Sequence, residues 1–376
     1  MIKIPTISEM EKILLQDSRT KDLVAAGDTK SRSPDTKLTA EQIRHEVSVF
    51  SRVLINIYCG WPFHNETLKR KILKMLIDIY RNARDMTSLE LLEQLKPVIQ
   101  IIPDNHINLR MVGYDTGCRT GLRKKRPDVG ANVAGDKKFI VELKKDIGVI
   151  GIRTLFEWST EDKQNFEQQW RSMLPKAKIL IIDLRDNYGG SSGPTDILAR
   201  YILGARYPIA RKECIRNNPD ANTVKKWKAG TDIDKFNVKS TDDPVVFKDN
   251  SNISLPKFDS TKAGFNDPIY VLINGKVMSA AEIMCTNMRN YPNVKFVGTN
   301  TCGGEVYGYN YAYILLPHTH MNFNVGCVYR ELFVENFELN GYEPDIKCTD
   351  GANAMDVAMF DIKKNKSQQN PPRVRN

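Results

Sequence analysis

Apolar residues recur at helix spacing from Ala40 to about Ile102. Val47, Phe50, Val53, Leu54 and Ile57 share one helical face, and Ile72, Met75, Leu76, Ile79 and Tyr80 share another. Tyr58-Cys59-Gly60-Trp61-Pro62 breaks the two, and Thr87 or Ser88 stands where a third helix needs its N-cap. The pattern predicts a small helical unit over 40–106, preceded by a polar segment over 1–39. A basic, turn-rich connector follows over 107–145. Its densest cluster, Arg119-Thr-Gly-Leu-Arg-Lys-Lys-Arg126, reads as a solvated loop or as a contact surface for an acidic partner.

From residue 146 the period changes. Short apolar runs at 147–152, 178–183, 268–274 and 293–298 predict strands, and amphipathic stretches after Ser159, at about 194–204 and at 280–289 predict helices. Such alternation implies an α/β class with a partly parallel sheet and helices on its faces. The core spans 146–350, interrupted by a long polar insertion over 205–266, and 351–376 reads as a C-terminal tail.

Composition narrows the function classes. The chain has 376 residues, with 55 Lys and Arg against 45 Asp and Glu. An excess of +10 spread over this length does not make nucleic acid the expected partner. Seven cysteines without a C-x-x-C pair signal neither a disulfide framework nor a cysteine zinc site. Charged residues interrupt the N-terminal apolar runs before they reach signal-peptide length, and no stretch approaches the ~20 apolar residues of a membrane span. These features lead us to expect a soluble, cytoplasmic protein with no membrane partner.

Four segments carry candidate chemistry. Asp183-Leu-Arg-Asp-Asn-Tyr-Gly-Gly190 runs off a buried strand, and its two glycines permit a sharp turn with backbone N–H groups close to a ligand. Ser279-Ala-Ala-Glu282 opens a helix. That serine suits an N-cap, and it also suits a nucleophile, because free N–H groups and the helix dipole favour an oxyanion beside it. Without G-x-S-x-G, an α/β-hydrolase elbow is not indicated. Gly298-Thr-Asn-Thr-Cys-Gly-Gly-Glu305 and Gly341-Tyr-Glu-Pro-Asp345 form two further turns.

In this order, DLRDNYGG, SAAE, GTNTCGGE and GYEPD resemble the catalytic domain of the tail-specific (C-terminal processing) and tricorn core peptidases. The resemblance covers about 146–350. It implies a ClpP/crotonase-like spiral αββ core, Ser279 as nucleophile, and hydrolysis of peptide bonds in a peptide or unfolded protein substrate. Two features depart from that pattern. The processing branch places a lysine base where Gly304 stands, and Lys276 does not match it. The tricorn branch places a histidine in the first core strand, where this chain has Gly148-Val-Ile-Gly-Ile152.

A third branch, that of chlamydial protease-like activity factor, takes its histidine from an N-terminal D-x-H element. Asp104-Asn-His106 resembles it, so the resemblance implies a triad of Ser279, His106 and Glu338, with Glu343 and Glu335 as alternative carboxylates. It also implies an oxyanion hole of Ala280 N–H with Gly189 or Gly190 N–H. Asp183 and Arg185 would brace the first turn together with Asn187, Glu282 would orient the helix start, and Gly303 and Gly304 would shape the third turn. No cofactor and no metal is expected. His318 and His320 lie two apart and could share a strand face, but no third ligand stands near them. His45 reads as a surface residue and His64 as a packing one. Without a full PDZ module in 107–145, substrate choice would rest on strand addition at the cleft edge. Crotonase-like cores often associate, so the resemblance also admits a homo-oligomer. The rival reading is a catalytically inactive homologue that binds peptides.

Overall fold

The computed structural model describes residues 5–27, 29–122, 125–204, 212–227, 245–249, 264–289, 291–306, 309–330 and 337–369. Glu335 and much of the 205–266 insertion lie outside them. The helices are α1 (Ile7–Leu15), α2 (Ala40–Arg52), α3 (Glu66–Arg81), α4 (Ser88–Gln100), α5 (Thr160–Met173), α6 (Gly193–Leu203), α7 (Pro219–Trp227), α8 (Ala280–Met288), α9 (Phe337–Asn340) and α10 (Ala354–Gln369). None is long and apolar enough to cross a membrane, among the described residues. The chain divides into two compact units.

The first unit takes Met1–Arg123, Ala210–Asn252 and Val306–Phe333. Its sheet is antiparallel, in the order Val24–Ala25, Tyr309–Leu315, Asn322–Arg330, Asn108–Met111, Thr116–Arg119, and Lys212–Arg216 also pairs with Asn322–Arg330. The apolar faces of α2, α3 and α4 share one core with this sheet, where Phe50 of α2 stacks on Phe323 at 4.3 Å. Two elements here escape the periodicity. Helix α1 has a Thr6–Glu9 capping box and buries Met10 and Leu14, but two buried positions are too few to stand out among charges. Within 107–145, Asn108–Met111 and Thr116–Arg119 form a hairpin whose strands are only four residues long.

The second unit takes Lys124–Ile209, Ile253–Glu305 and Val334–Asn376. Its sheet runs Ile346–Lys347, Val294–Gly298, Ile269–Ile273, Ile179–Asp183, Ile147–Ile152, Phe139–Lys144, with every pairing parallel except the last. Ile179–Asp183 and Ile269–Ile273 are buried along their whole length, which is why they read as unbroken apolar runs and not as alternation. The expected α/β class holds. The C-terminal segment read as a tail forms α10, whose Ala354, Ala358 and Ile362 pack on Ile181, Tyr270, Leu272 and Val297. Small alanines at i, i+4 carry little apolar signal, so the pattern missed this helix. Because the central strands are parallel, the segments that follow Asp183, Ile273 and Gly298 all leave from one edge of the sheet.

Candidate active site

The turn after Ile179–Asp183 is built around a buried ion pair. Asp183 Oδ1 accepts from Arg185 N (3.1 Å) and Nε (2.9 Å), and its Oδ2 accepts from Arg185 Nη2 (2.8 Å) and Val133 N (3.0 Å). Arg185 Nη1 donates to Val129 O and Asn353 Oδ1. Both side chains are out of solvent, and a buried pair of charges is tolerable only when hydrogen bonds meet both partners as they do here. Asn187 extends the brace. Its Nδ2 donates to Ile152 O (2.9 Å), its Oδ1 accepts from Gly189 N (2.9 Å), and its carbonyl accepts from Met278 N (3.1 Å). Asn132 adds two bonds of 2.8 Å to the carbonyls of Asp183 and Arg185. No feature of the sequence marks Asn132, a lone amide in the connector.

Ser279 stands at the start of α8 with φ +57° and ψ −123°. A residue with a Cβ seldom adopts this conformation, and such strain persists only where surrounding contacts impose it. Gly189 supplies the close approach: at φ +91°, a Cβ there would lie 2.7 Å from Met278 O and 2.9 Å from Ser279 Cβ. The Ser279 side chain makes no cap bond, and the Glu282 amide instead reaches the Ser279 carbonyl at 2.8 Å. Among the described residues the amides of Ala280 and Gly190 make no hydrogen bond, whereas the Gly189 amide is taken by Asn187.

Glu282 ties this serine to the other motifs. Its Oε2 accepts from Ser279 N (3.1 Å), and its Oε1 accepts from Thr301 Oγ1 (2.5 Å) and Gly303 N (2.9 Å). Thr301 Oγ1 in turn accepts from Tyr342 N (2.7 Å). Complete burial pushes the Glu282 carboxyl up to about 8, with Glu305 adding to the rise and the hydrogen bonds opposing it. All four sequence motifs are therefore joined within this unit. Gly304, where a lysine would stand in the processing branch, is buried beside Gly303. Lys276 is spoken for: its Nζ lies 3.0 Å from Asp186 Oδ1, and that bond raises its pKa, which holds it as a cation.

Of the candidate carboxylates, Glu338 is buried in α9, and Glu343 is exposed and paired with Lys347, which lowers its pKa. Gly303 at φ +78° lets the third turn pass under the Phe337 and Glu338 carbonyls, since a Cβ there would lie 2.5 and 2.8 Å from them. Arg126, from the basic cluster, is half-buried and tied down. Its Nη2 donates to Leu339 O (3.1 Å) and Asn340 O (2.9 Å) at the end of α9.

His106 belongs to the first unit. Asp104, wholly buried, turns the chain there by accepting from His106 N (2.7 Å) and Ile107 N (3.3 Å) on Oδ1. The same oxygen lies 3.9 Å from His106 Nδ1, and burial raises the Asp104 carboxyl to about 6. The other histidines have different settings. His64 is buried against Tyr58, with its pKa lowered to about 4 by desolvation, in keeping with packing. His45 Nδ1 meets His318 Nε2 at 2.9 Å, so His318 pairs with His45 and not with His320. All seven cysteines are free thiols and buried, Cys302 among them.

No curated protein matches the chain. Among solved structures, a protein from Parabacteroides merdae ATCC 43184 described as a peptidase is 16% identical, with a TM-score of 0.55, over 86% of this chain and 96% of that one. A lipoprotein from Streptococcus agalactiae is 15% identical over the same shares, with a TM-score of 0.44. Mature CPAF complexed with lactacystin is 16% identical over 64% of this chain and 56% of that one, with a TM-score of 0.39. The model of peptidase family S41 matches residues 146–348, the stretch that holds the strands, the strained serine and its four linked motifs. This chain belongs to peptidase family S41.

Proposed function

We propose that the protein hydrolyses peptide bonds as a serine endopeptidase, through an acyl-enzyme on Ser279 with His106 as general base and Glu338 as the carboxylate behind it. The observation that carries the reading is the state of Ser279: a strained backbone at a helix N-terminus, a hydroxyl not used as a cap, and amides at Ala280 and Gly190 that are unengaged among the described residues. Serine attacks only when a base takes its proton, and a neutral imidazole suits that task near pH 7. His106 would accept the Oγ proton as Oγ bonds to the scissile carbonyl carbon. The oxyanion would sit against the Ala280 and Gly190 amides, each worth about 3–4 kcal/mol when preorganised. His106 then returns the proton to the leaving amine as the C–N bond breaks. Water attacks the ester by the same route and restores the Ser279 hydroxyl.

Buried Glu338 suits the role of orienting an imidazole better than exposed, salt-bridged Glu343 does. Peptides or unfolded proteins are the proposed substrates. The test is labelling by a fluorophosphonate probe, which reports an activated serine without knowledge of the substrate. Wild type should label, and Ser279→Ala and His106→Ala should not, with melting curves confirming that both fold. A wild type that never labels yet binds peptides would favour the inactive, peptide-binding homologue. Labelling that survives His106→Ala would remove that residue as the base.

A further inference from the structure

The connector arginine Arg126 holds two parts of the second unit at once. Its Nη2 donates to the carbonyls of Leu339 and Asn340, the last residues of α9, so the guanidinium closes the C-terminal end of the helix that carries Glu338. A helix this short has no hydrogen bonds to spare. A cation on its terminal carbonyls meets both the unsatisfied acceptors and the negative end of the dipole. The stem of the same side chain lies flat on Gly275, four residues before Ser279. A Cβ on that glycine would come within 2.3 Å of Arg126 Cγ and 2.5 Å of Cβ. Asn300 Nδ2 adds a bond of 3.0 Å to the Asn340 carbonyl, from the third motif. Arg126 Nε is buried with no hydrogen-bond partner among the described residues, a cost this side chain carries while it serves the α9 carbonyls.

We infer that Arg126 is a positioning residue for the reaction, acting through Glu338 by fixing α9 against the loop that leads to Ser279. The inference rests on the assignment of Glu338 made above. It also gives the basic cluster over 119–126 a second use, since its last residue is spent inside the unit and not on an acidic partner.

A mutant cycle read by the rate of fluorophosphonate labelling tests it. Arg126→Met should slow labelling on the order of 10²-fold, the scale of a small misplacement of a catalytic group. In a Glu338→Gln background the same change should alter the rate by less than about twofold, because nothing remains for Arg126 to position. Arg126→Lys, which keeps a donor and most of the stem, should recover a large part of the rate. If Arg126→Met melts below the assay temperature, Arg126→Gln carries the same cycle. Equal losses in both backgrounds would overturn the inference and leave Arg126 a structural residue, as would a labelling rate unchanged by Arg126→Met. The parent assignment fails by a different sign: Glu338→Gln alone would label at the wild-type rate, or wild type would not label at all, and the inference would fall with it.

Discussion

Each unit contains an aspartate buried against an arginine, and the two are put to different ends. In the first unit Asp220 accepts from Thr20 Oγ1 (2.6 Å), Arg52 Nη1 (2.8 Å) and Asn56 Nδ2 (2.7 Å). Arg52 also donates to Ser18, so α2, α7 and the chain after α1 are fastened at one point. In the second unit Asp183 and Arg185 sit two residues apart and fasten a single turn to Val129, Val133 and Asn353. The physics is shared: a buried charge with its lone pairs met holds its neighbours in one geometry. What hangs from each clasp differs. Asp220 holds elements together, whereas Asp183 holds the turn whose Gly189 lets the backbone pass close to Ser279.

Arg185→Met should have the largest effect. It strands Asp183 without its main partner, which costs about 3–5 kcal/mol for a fully buried pair. Ser279 labelling should vanish even well below the melting point. Arg52→Met should cost less, about 1–3 kcal/mol, since the remaining donors to Asp220 are neutral hydrogen bonds, and labelling should persist while the protein is folded. Urea melts and labelling on the same samples separate the two outcomes. Equal loss of labelling in both variants would erase the contrast between the clasps.

A smaller effect lies in pH. Glu282 is raised to about 8 from an ordinary 4.5, and Asp104 to about 6 from 3.8, both mainly by burial. An acid whose folded pKa is raised binds its proton more tightly in the native state. Its contribution to stability is whole below the unfolded pKa and is lost as pH climbs through the folded one. Between pH 6 and 8 the falling stability should therefore belong largely to Glu282, and between about 4 and 6 both acids contribute. Glu282→Gln should flatten the upper part and Asp104→Asn only the lower part, measured by denaturant midpoints at pH 5, 6.5 and 8. A Glu282→Gln variant as steep as wild type from pH 6 to 8 would show that this carboxyl titrates near its ordinary value.

How much of this was visible in the sequence follows from how local each feature is. Ile179–Asp183 and Ile269–Ile273 are continuous apolar runs followed by glycine or a helix start, so their place in a parallel sheet and the candidacy of Ser279 could be read from a few adjacent residues. The antiparallel sheet of the first unit could not. Its strands come from residues 24, 108, 116, 212, 309 and 322 onward, several are two to five residues long, and only tertiary pairing makes them strands. The conformation of Ser279 was equally hidden, because the turn packed beside it, at Gly189, lies 90 positions earlier in the chain. Arg126 looked like one more surface charge until Gly275, far along the sequence, supplied the wall it lies on.

The smallest expected effect sharpens the contrast between a helix start that is only structural and one that is not. Thr6, Thr39, Thr87 and Ser159 each accept a hydrogen bond from the amide three residues on, and each is answered by an acidic or amide side chain in a reciprocal box. Ser279 has the same spacing to Glu282, yet its hydroxyl makes no such bond and its backbone lies at φ +57°. Thr87→Ala should therefore cost about 1 kcal/mol, the ordinary worth of a side-chain cap, with activity unchanged. Ser279→Ala removes a hydroxyl that caps nothing, and alanine is no more strained than serine at that φ, so its melting temperature should stay within error of wild type while labelling is lost. A drop as large as that of Thr87→Ala would mean that the Ser279 hydroxyl does cap α8 in solution, and the serine at the head of that helix would then be explained by its cap alone.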